Sequence, residues 1–361
     1  MSVSRTRSHD LRRIVALGAA LVLAAAMSAC SALKSESSSS ASAPHTIAPG
    51  KTLTVSTSFY PIQYLAEAIG GKLVKVSTVT PSNVEPHDFE LSGKETAELG
   101  KADLIAYVPG FQPSLDKAVK EVGSGPTVVD LSKPANLVHH EGVEEEHEHG
   151  EEATDGTSAT ASAAATAQAS EAEHDEHGHD EHAEGGEGHD GDLDPHFWLD
   201  PDRMVKVAEA LEASFAKIDP ANANDYKAGL DKLKTALTGV DNQYKQGFTS
   251  CQHKTFITSH AAFGYMAERY GLTQASISGI DPETEPSPAE MANIKSVVEK
   301  TGVKTIFTEE LVSDAPAKAI AAETGAETSV LSPLESKPEQ GDYTDAMTTN
   351  LERLKSAMVC K

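Results

Sequence analysis

PANANDYKAGLDKLKTALTGVDNQYKQGF, residues Pro220–Phe248, decides how the rest of the chain is read. Its apolar side chains Tyr226, Leu230, Leu233, Leu237, Val240 and Tyr244 recur at spacings of three and four, which gathers them on one helix face. Pro220 suits a first-turn position, where its missing N–H costs nothing, and Asp219 suits the cap before it. At 1.5 Å per residue the helix is about 40 Å long, enough to span two lobes. A second helical stretch, Pro201–Ile218, leads into it. A stiff helix between lobes permits only small relative motions, where a Gly-rich hinge would permit large ones.

Both flanks of this helix alternate strand and helix patterns. On the amino side, β-branched apolar runs mark strands at Thr52–Phe59, Val74–Thr80, Leu104–Val108 and Thr127–Leu131. Helical stretches fall at Pro61–Ile69, Lys94–Lys101 and Gln112–Val122. On the carboxyl side, strands are expected at Thr255–Ser259, Ala275–Ile280, Thr305–Thr308 and Thr328–Leu331. Helices there are expected at Ala262–Tyr270, Pro288–Thr301, Ala315–Thr324 and Tyr343–Met358. Such alternation argues for mostly parallel sheets covered by helices. The expected fold is α/β, with an amino-terminal lobe over 51–200, linking helices over 201–250 and a carboxyl-terminal lobe over 251–361.

Between the lobes' motifs lies a run of different composition. From His139 to Asp194 the chain carries nineteen acidic residues and no Lys or Arg, so the formal net charge of −25 is largely local. The same run holds His139, His140, His147, His149, His174, His177, His179, His182 and His189. It has no aromatic residue and cannot bury enough apolar area to offset chain entropy. Residues 139–192 are therefore expected to be a disordered loop inserted in the first lobe. Imidazole suits divalent zinc, copper and nickel, and carboxylates add a favourable field, so the histidines read as auxiliary metal ligands. The plainer reading is a solvated acidic linker, but histidine solvates a linker less well than serine or lysine. A net charge of −25 also argues against nucleic acid as a partner.

The amino terminus reads as a targeting segment. Arg5, Arg7, Arg12 and Arg13 precede an apolar run from Ile14 to Met27, which is too short for a membrane span of ~20 residues. Ser28-Ala29-Cys30 then resembles a bacterial lipobox, making residues 1–30 a lipoprotein signal and Cys30 the lipidated first residue. A plain signal peptide cut nearby is the alternative. Ser-, Ala- and Pro-rich residues 31–50 read as a flexible tether. The expected location is the extracytoplasmic face of the membrane, lipid-anchored. In that oxidising place Cys251 and Cys360 could form a disulfide, or remain a buried pair of thiols.

Three histidines stand in contexts that read as ordered. His87 lies in Glu85-Pro86-His87-Asp88, His196 in Asp194-Pro195-His196-Phe197-Trp198, and His260 in Ser259-His260-Ala261-Ala262-Phe263-Gly264-Tyr265. Two of them follow strands, and ligands of open α/β sheets gather beyond the carboxyl ends of strands. Zinc binds imidazole at ~2.0–2.1 Å and takes four tetrahedral ligands. Glu335, after the last strand, is the first choice for the fourth, and Glu85 the second. Asp281, Glu283 and Glu285 read as a lobe-edge feature.

These motifs, together with the loop Asp281–Pro288 and Leu331–Glu335, resemble those of the zinc/manganese ABC-transporter substrate-binding proteins. The resemblance spans roughly Lys51 to Lys361 outside the His-rich run. It implies two Rossmann-like lobes joined by a long rigid helix, with the metal in the inter-lobe cleft on His87, His196 and His260. His260 and the His-rich loop place the chain with the zinc branch. The implied role is a monomeric, membrane-tethered protein that captures Zn²⁺ and delivers it to an ABC-transporter permease. Manganese or another divalent metal, with or without adhesion, is the alternative. A zinc hydrolase is weaker, because no H-E-x-x-H or G-x-S-x-G element is present.

Overall fold

The computed structural model describes residues 46–140 and 193–361. The signal and Cys30, most of the tether, and His147, His149, His174, His177, His179, His182 and His189 lie outside the described residues.

The first sheet contains β1 (Leu53–Thr57), β2 (Val74–Thr78), β3 (Leu104–Tyr107) and β4 (Thr127–Asp130), all parallel, in the order β2-β1-β3-β4. The second repeats that order with β5 (Thr255–Thr258), β6 (Thr273–Ser276), β7 (Thr305–Thr308) and β8 (Glu327–Val330), as β6-β5-β7-β8. In each, the order reverses at the first strand, which opens a crevice at the carboxyl ends. The first sheet is covered by α1 (Tyr60–Gly70), α2 (Gly93–Leu99), α3 (Pro113–Val122) and the single turn α4 (Ser132–Ala135).

The linking helices are α5 (Pro201–Ile218) and α6 (Ala223–Gly247). The second sheet carries α7 (Gly264–Tyr270), α8 (Pro288–Thr301), α9 (Ala315–Thr324) and α10 (Tyr343–Ala357). The six apolar residues that marked one face of the linking helix are all buried on α6. That helix packs on α1 of the first lobe and on α10 of the second. The crossing with α1 is close: a Cβ on Gly229 would stand 2.2 Å from the Ile69 carbonyl oxygen, so only glycine fits. At the other end the Tyr244 hydroxyl donates to the Met347 carbonyl at 2.8 Å. One apolar cluster runs from Leu53 and Val55 through Phe215 and Leu237 to Leu351 and Leu354. The lobes thus share a core instead of meeting at a polar seam. No described helix is long and apolar enough to cross a membrane.

Several boundaries differ from expectation. Residues 220–222 form a 3-10 turn before α6, and Asp219 does not cap it through its side chain. Its buried carboxylate instead accepts from the Tyr226 hydroxyl (2.8 Å) and the Asn222 amide (2.7 Å). The end of the expected tether is also not tether. Ile47 is buried and its N–H donates to the Ile218 carbonyl at 3.0 Å, because an apolar residue beside the α5 terminus gains by burial. Strand β6 starts at Thr273 rather than Ala275, since Thr273 pairs with Thr255. Of the run 139–192, only His139 and His140 are among the described residues. Cys251 and Cys360 are joined by a disulfide that closes a separation of 109 residues.

Candidate metal centre

Each ligand candidate leaves the carboxyl end of its sheet or the segment entering α5. The loop after β2 carries His87. Its turn is fixed by the buried Gln112, whose amide donates to Thr80 Oγ1 (2.8 Å) and to the Pro86 carbonyl (2.9 Å). The Phe111 ring stands edge-on to the His87 ring at 4.6 Å. His196 precedes a 3-10 turn, Phe197–Leu199, and is fully buried. His260 follows β5, the strand at which the second sheet reverses, and its backbone N–H donates to Glu309 Oε1 at 3.1 Å. Glu335 follows β8, and the residue before it, Leu334, takes φ 61°, an uncommon angle for a branched side chain. Its neighbourhood is held from the other lobe: the only tryptophan, Trp198, donates Nε1–H to the Pro333 carbonyl at 2.7 Å.

These four side chains converge. One ligand atom from each of His87, His196, His260 and Glu335 lies within 4.8 Å of all the others. His196 Nε2 is 3.3 Å from both His87 Nε2 and His260 Nε2. Glu335 Oε1 is 3.4 Å from His196 Nε2 and 3.7 Å from the other two. The centre of a tetrahedron lies about 0.61 of an edge from each corner. Five of the six edges are 3.3–3.7 Å, which for a regular tetrahedron would put the centre about 2.0–2.3 Å from each corner, close to zinc bond lengths.

The electrostatics favour a cation at that centre. Glu335 Oε1 is buried without a hydrogen-bond partner, a costly state for a carboxylate unless a cation offsets it. Burial works against its charge, but His196, His87 and His260 outweigh it and hold the carboxyl well below the usual range. Two rings are oriented by carboxylates on their far side. His196 Nδ1–H donates to Asp194 Oδ1 at 2.8 Å, and His260 Nδ1–H donates to Glu309 Oε2. Both bonds fix the tautomer that leaves Nε2 free as a ligand. Burial opposes charge on His196, yet Asp194 and Glu335 outweigh it and push the ring up to about 9. His260 is raised in the same way, against burial, by Glu309 and Glu335. His87 lacks such support and burial pulls it down.

Glu85 lies outside the gathered four. Burial and the Glu335 charge push its carboxyl up to about 7. Asp281, Glu283 and Glu285 are exposed on the loop before α8. Asp194 and Glu309 escaped sequence reasoning as orienting groups. Their only signals were Asp194 two positions before His196, and Glu309 directly after β7 at the carboxyl edge. His140, read with the loop, is seated instead against Asp194 (2.7 Å) and the Tyr265 ring (4.4 Å between centroids).

Residues 55–357 match the family model of ZnuA, the periplasmic component A of the zinc-uptake complex. The high-affinity zinc uptake system protein ZnuA of Bacillus subtilis is 35% identical over 319 residues, covering 86% of this chain and 89% of its own. The zinc-binding protein AdcA of Streptococcus pyogenes is 35% identical over 327 residues, covering 87% of this chain but 57% of its own, so the chain spans little over half of that relative. Among solved structures, the laminin-binding protein Lmb of Streptococcus agalactiae has a TM-score of 0.67 at 28% identity, covering 85% of this chain and 99% of its own. It is described as a bifunctional protein with adhesin and metal transporting activity.

Proposed function

The chain belongs to the ZnuA family of zinc-uptake components, and from that premise we propose that His87, His196, His260 and Glu335 hold the Zn²⁺ it captures outside the cytoplasm for an ABC transporter. The observation that carries this reading is the largely buried set of three imidazoles and one carboxylate whose ligand atoms all lie within 4.8 Å of one another, with Glu335 Oε1 left without a hydrogen-bond partner. Three neutral nitrogen donors suit zinc better than manganese, which favours oxygen. All four corners are protein atoms, so no position is left for the water a hydrolase needs. Such a site holds a cation and gives it up intact. The shared core along α6 and the cross-lobe bond from Trp198 to Pro333 support a cleft that is largely formed before the metal arrives. The further parts of the reading are a lipid anchor on Cys30, a monomeric state and direct hand-over to the permease.

Single replacement of His87, His196 or His260 by Ala tests the site. Each removes one of four bonds and should weaken the tightest zinc site about a hundredfold or more, as read by competition against a chromophoric chelator. Glu335→Ala should lose less, because water can stand in for a carboxylate on zinc. Parent-like affinity in any of the three histidine variants removes that residue from the site.

A further inference from the structure

His140 is the last described residue before the His-rich run, and it is built into the cleft. Its seat is specific. A Cβ added to Gly264 would stand 2.6 Å from the His140 ring, so the seat exists only because residue 264 is glycine. The Tyr265 ring meets the imidazole at right angles, with centroids 4.4 Å apart. Glu268 Oε2 lies 3.5 Å from Nε2 on the outer side. On the inner side His140 Nδ1–H donates to Asp194 Oδ2 at 2.7 Å. The other oxygen of Asp194 accepts from the His196 backbone N–H at 2.9 Å and from His196 Nδ1–H at 2.8 Å. One fully buried carboxylate therefore bridges His140 and a ligand ring. The Tyr265 hydroxyl secures the same spot, accepting from the Val138 N–H (2.8 Å) and donating to the Asp194 carbonyl (2.7 Å).

We propose that His140 is a positioning residue for the metal site: seated on Gly264 and Tyr265, it fixes the Asp194 carboxylate, which in turn aims His196 Nε2 at the metal. This rests on the site reading above and assigns His140 a different job from the histidines that follow it. It does not ligate metal. It sets the orientation of a ligand, as groups behind a metal-bound histidine do. Without it, one oxygen of a buried carboxylate loses a charge-assisted donor and the carboxylate is free to turn away from His196.

The test uses the full-length protein and Zn²⁺ alone, at less than one equivalent, in competition with a chromophoric chelator, so that only the tightest site is read. Replacing a group that orients a ligand typically costs 10–100-fold in metal affinity, and His140→Ala should fall in that range. Gly264→Ala keeps the imidazole but displaces it, and should weaken zinc about tenfold or more. His140→Asn is the decisive variant. Its amide nitrogen replaces Nδ1 as donor to Asp194, but it has nothing at the place of Nε2 with which to ligate. It should bind within about threefold of the parent. The Co²⁺-loaded proteins give a second readout: the visible d–d bands of His140→Ala should shift in energy while those of His140→Asn match the parent. An Asn variant as weak as the Ala variant overturns the proposal, as do parent-like affinities in both the Ala and Gly264 variants. A His196→Ala control that binds like the parent would instead overturn the site itself, so the two failures are told apart.

Discussion

Lowering the pH from 8 to 6 should weaken zinc binding to the cleft about a hundredfold. The magnitude comes from the proton that has to leave. Each proton displaced by the metal contributes a factor of about ten per pH unit below the pKa of the group that held it. Burial disfavours charge on His196, but Asp194 and Glu335 push its ring up to about 9, so it carries a proton throughout this range. Burial pulls the His87 ring down, so it adds less to the count, and Glu335, held well below the usual carboxylate range, adds nothing. His260, raised by Glu309 and Glu335 against its burial, can only add to the loss. The stability of the metal-free protein should run the other way. A ring whose folded pKa is raised contributes stability that is fully present below its unfolded value of about 6.5 and is lost as the pH rises through about 9. Between pH 7 and 9 the metal-free protein should therefore melt earlier while its zinc affinity still climbs. Calorimetric titration in two buffers of different ionisation enthalpy counts the protons directly, and chelator competition gives the affinity. A change of less than threefold between pH 6 and 8, with no proton released, would refute the reasoning.

Two further outcomes are expected. Joining residue 140 to residue 193 through a short Gly-Ser bridge should leave a folded protein with one tight zinc site, because none of the four gathered ligands lies in the excised segment; loss of that site on titration would make the run primary. Reducing the Cys251–Cys360 disulfide, which closes 109 residues, should cost up to about 4–5 kcal/mol on a chain-entropy account. It should leave zinc affinity within about twofold, since Cys251 precedes the amino end of β5 and His260 follows its carboxyl end; a large loss of affinity on reduction would show coupling through the strand.

The elements that could be read from the chain are those whose pattern is local. Helices α5, α8 and α9 and strand β7 lie where periodicity and flanking Pro or Gly put them. The alternation of Ala275-Ser276-Ile277-Ser278 marks strand character but not where the ladder ends. Ile277 and Ser278 still donate to the Thr258 and Ser259 carbonyls after β6 has formally stopped. The four gathered candidates could be singled out because each sits at a strand end or in a Pro-flanked turn. Asp194 and Glu309 were not, since the partner that gives each its role is set by tertiary folding. The seat of His140 was hidden for the opposite reason. Composition has no sharp edge, and a histidine beside a His-rich run takes on the run's meaning until its seat on Gly264 is seen.

The bond between the Val138 carbonyl and the Asp194 N–H, 2.9 Å, closes a ring at the point where the His-rich run departs and returns. From the cleft's side the circuit is complete once His140 is seated beside Asp194, whatever is strung between residues 140 and 193. The cost of closing a loop grows only slowly with its length, by about 0.6 kcal/mol per doubling. Insertions, deletions and wholesale changes of composition can therefore accumulate there without touching the ligands. The position is a socket. Selection can fit it with more or fewer histidines as the supply of metal demands, and an engineer can fit it with a reporter domain whose two ends lie close together.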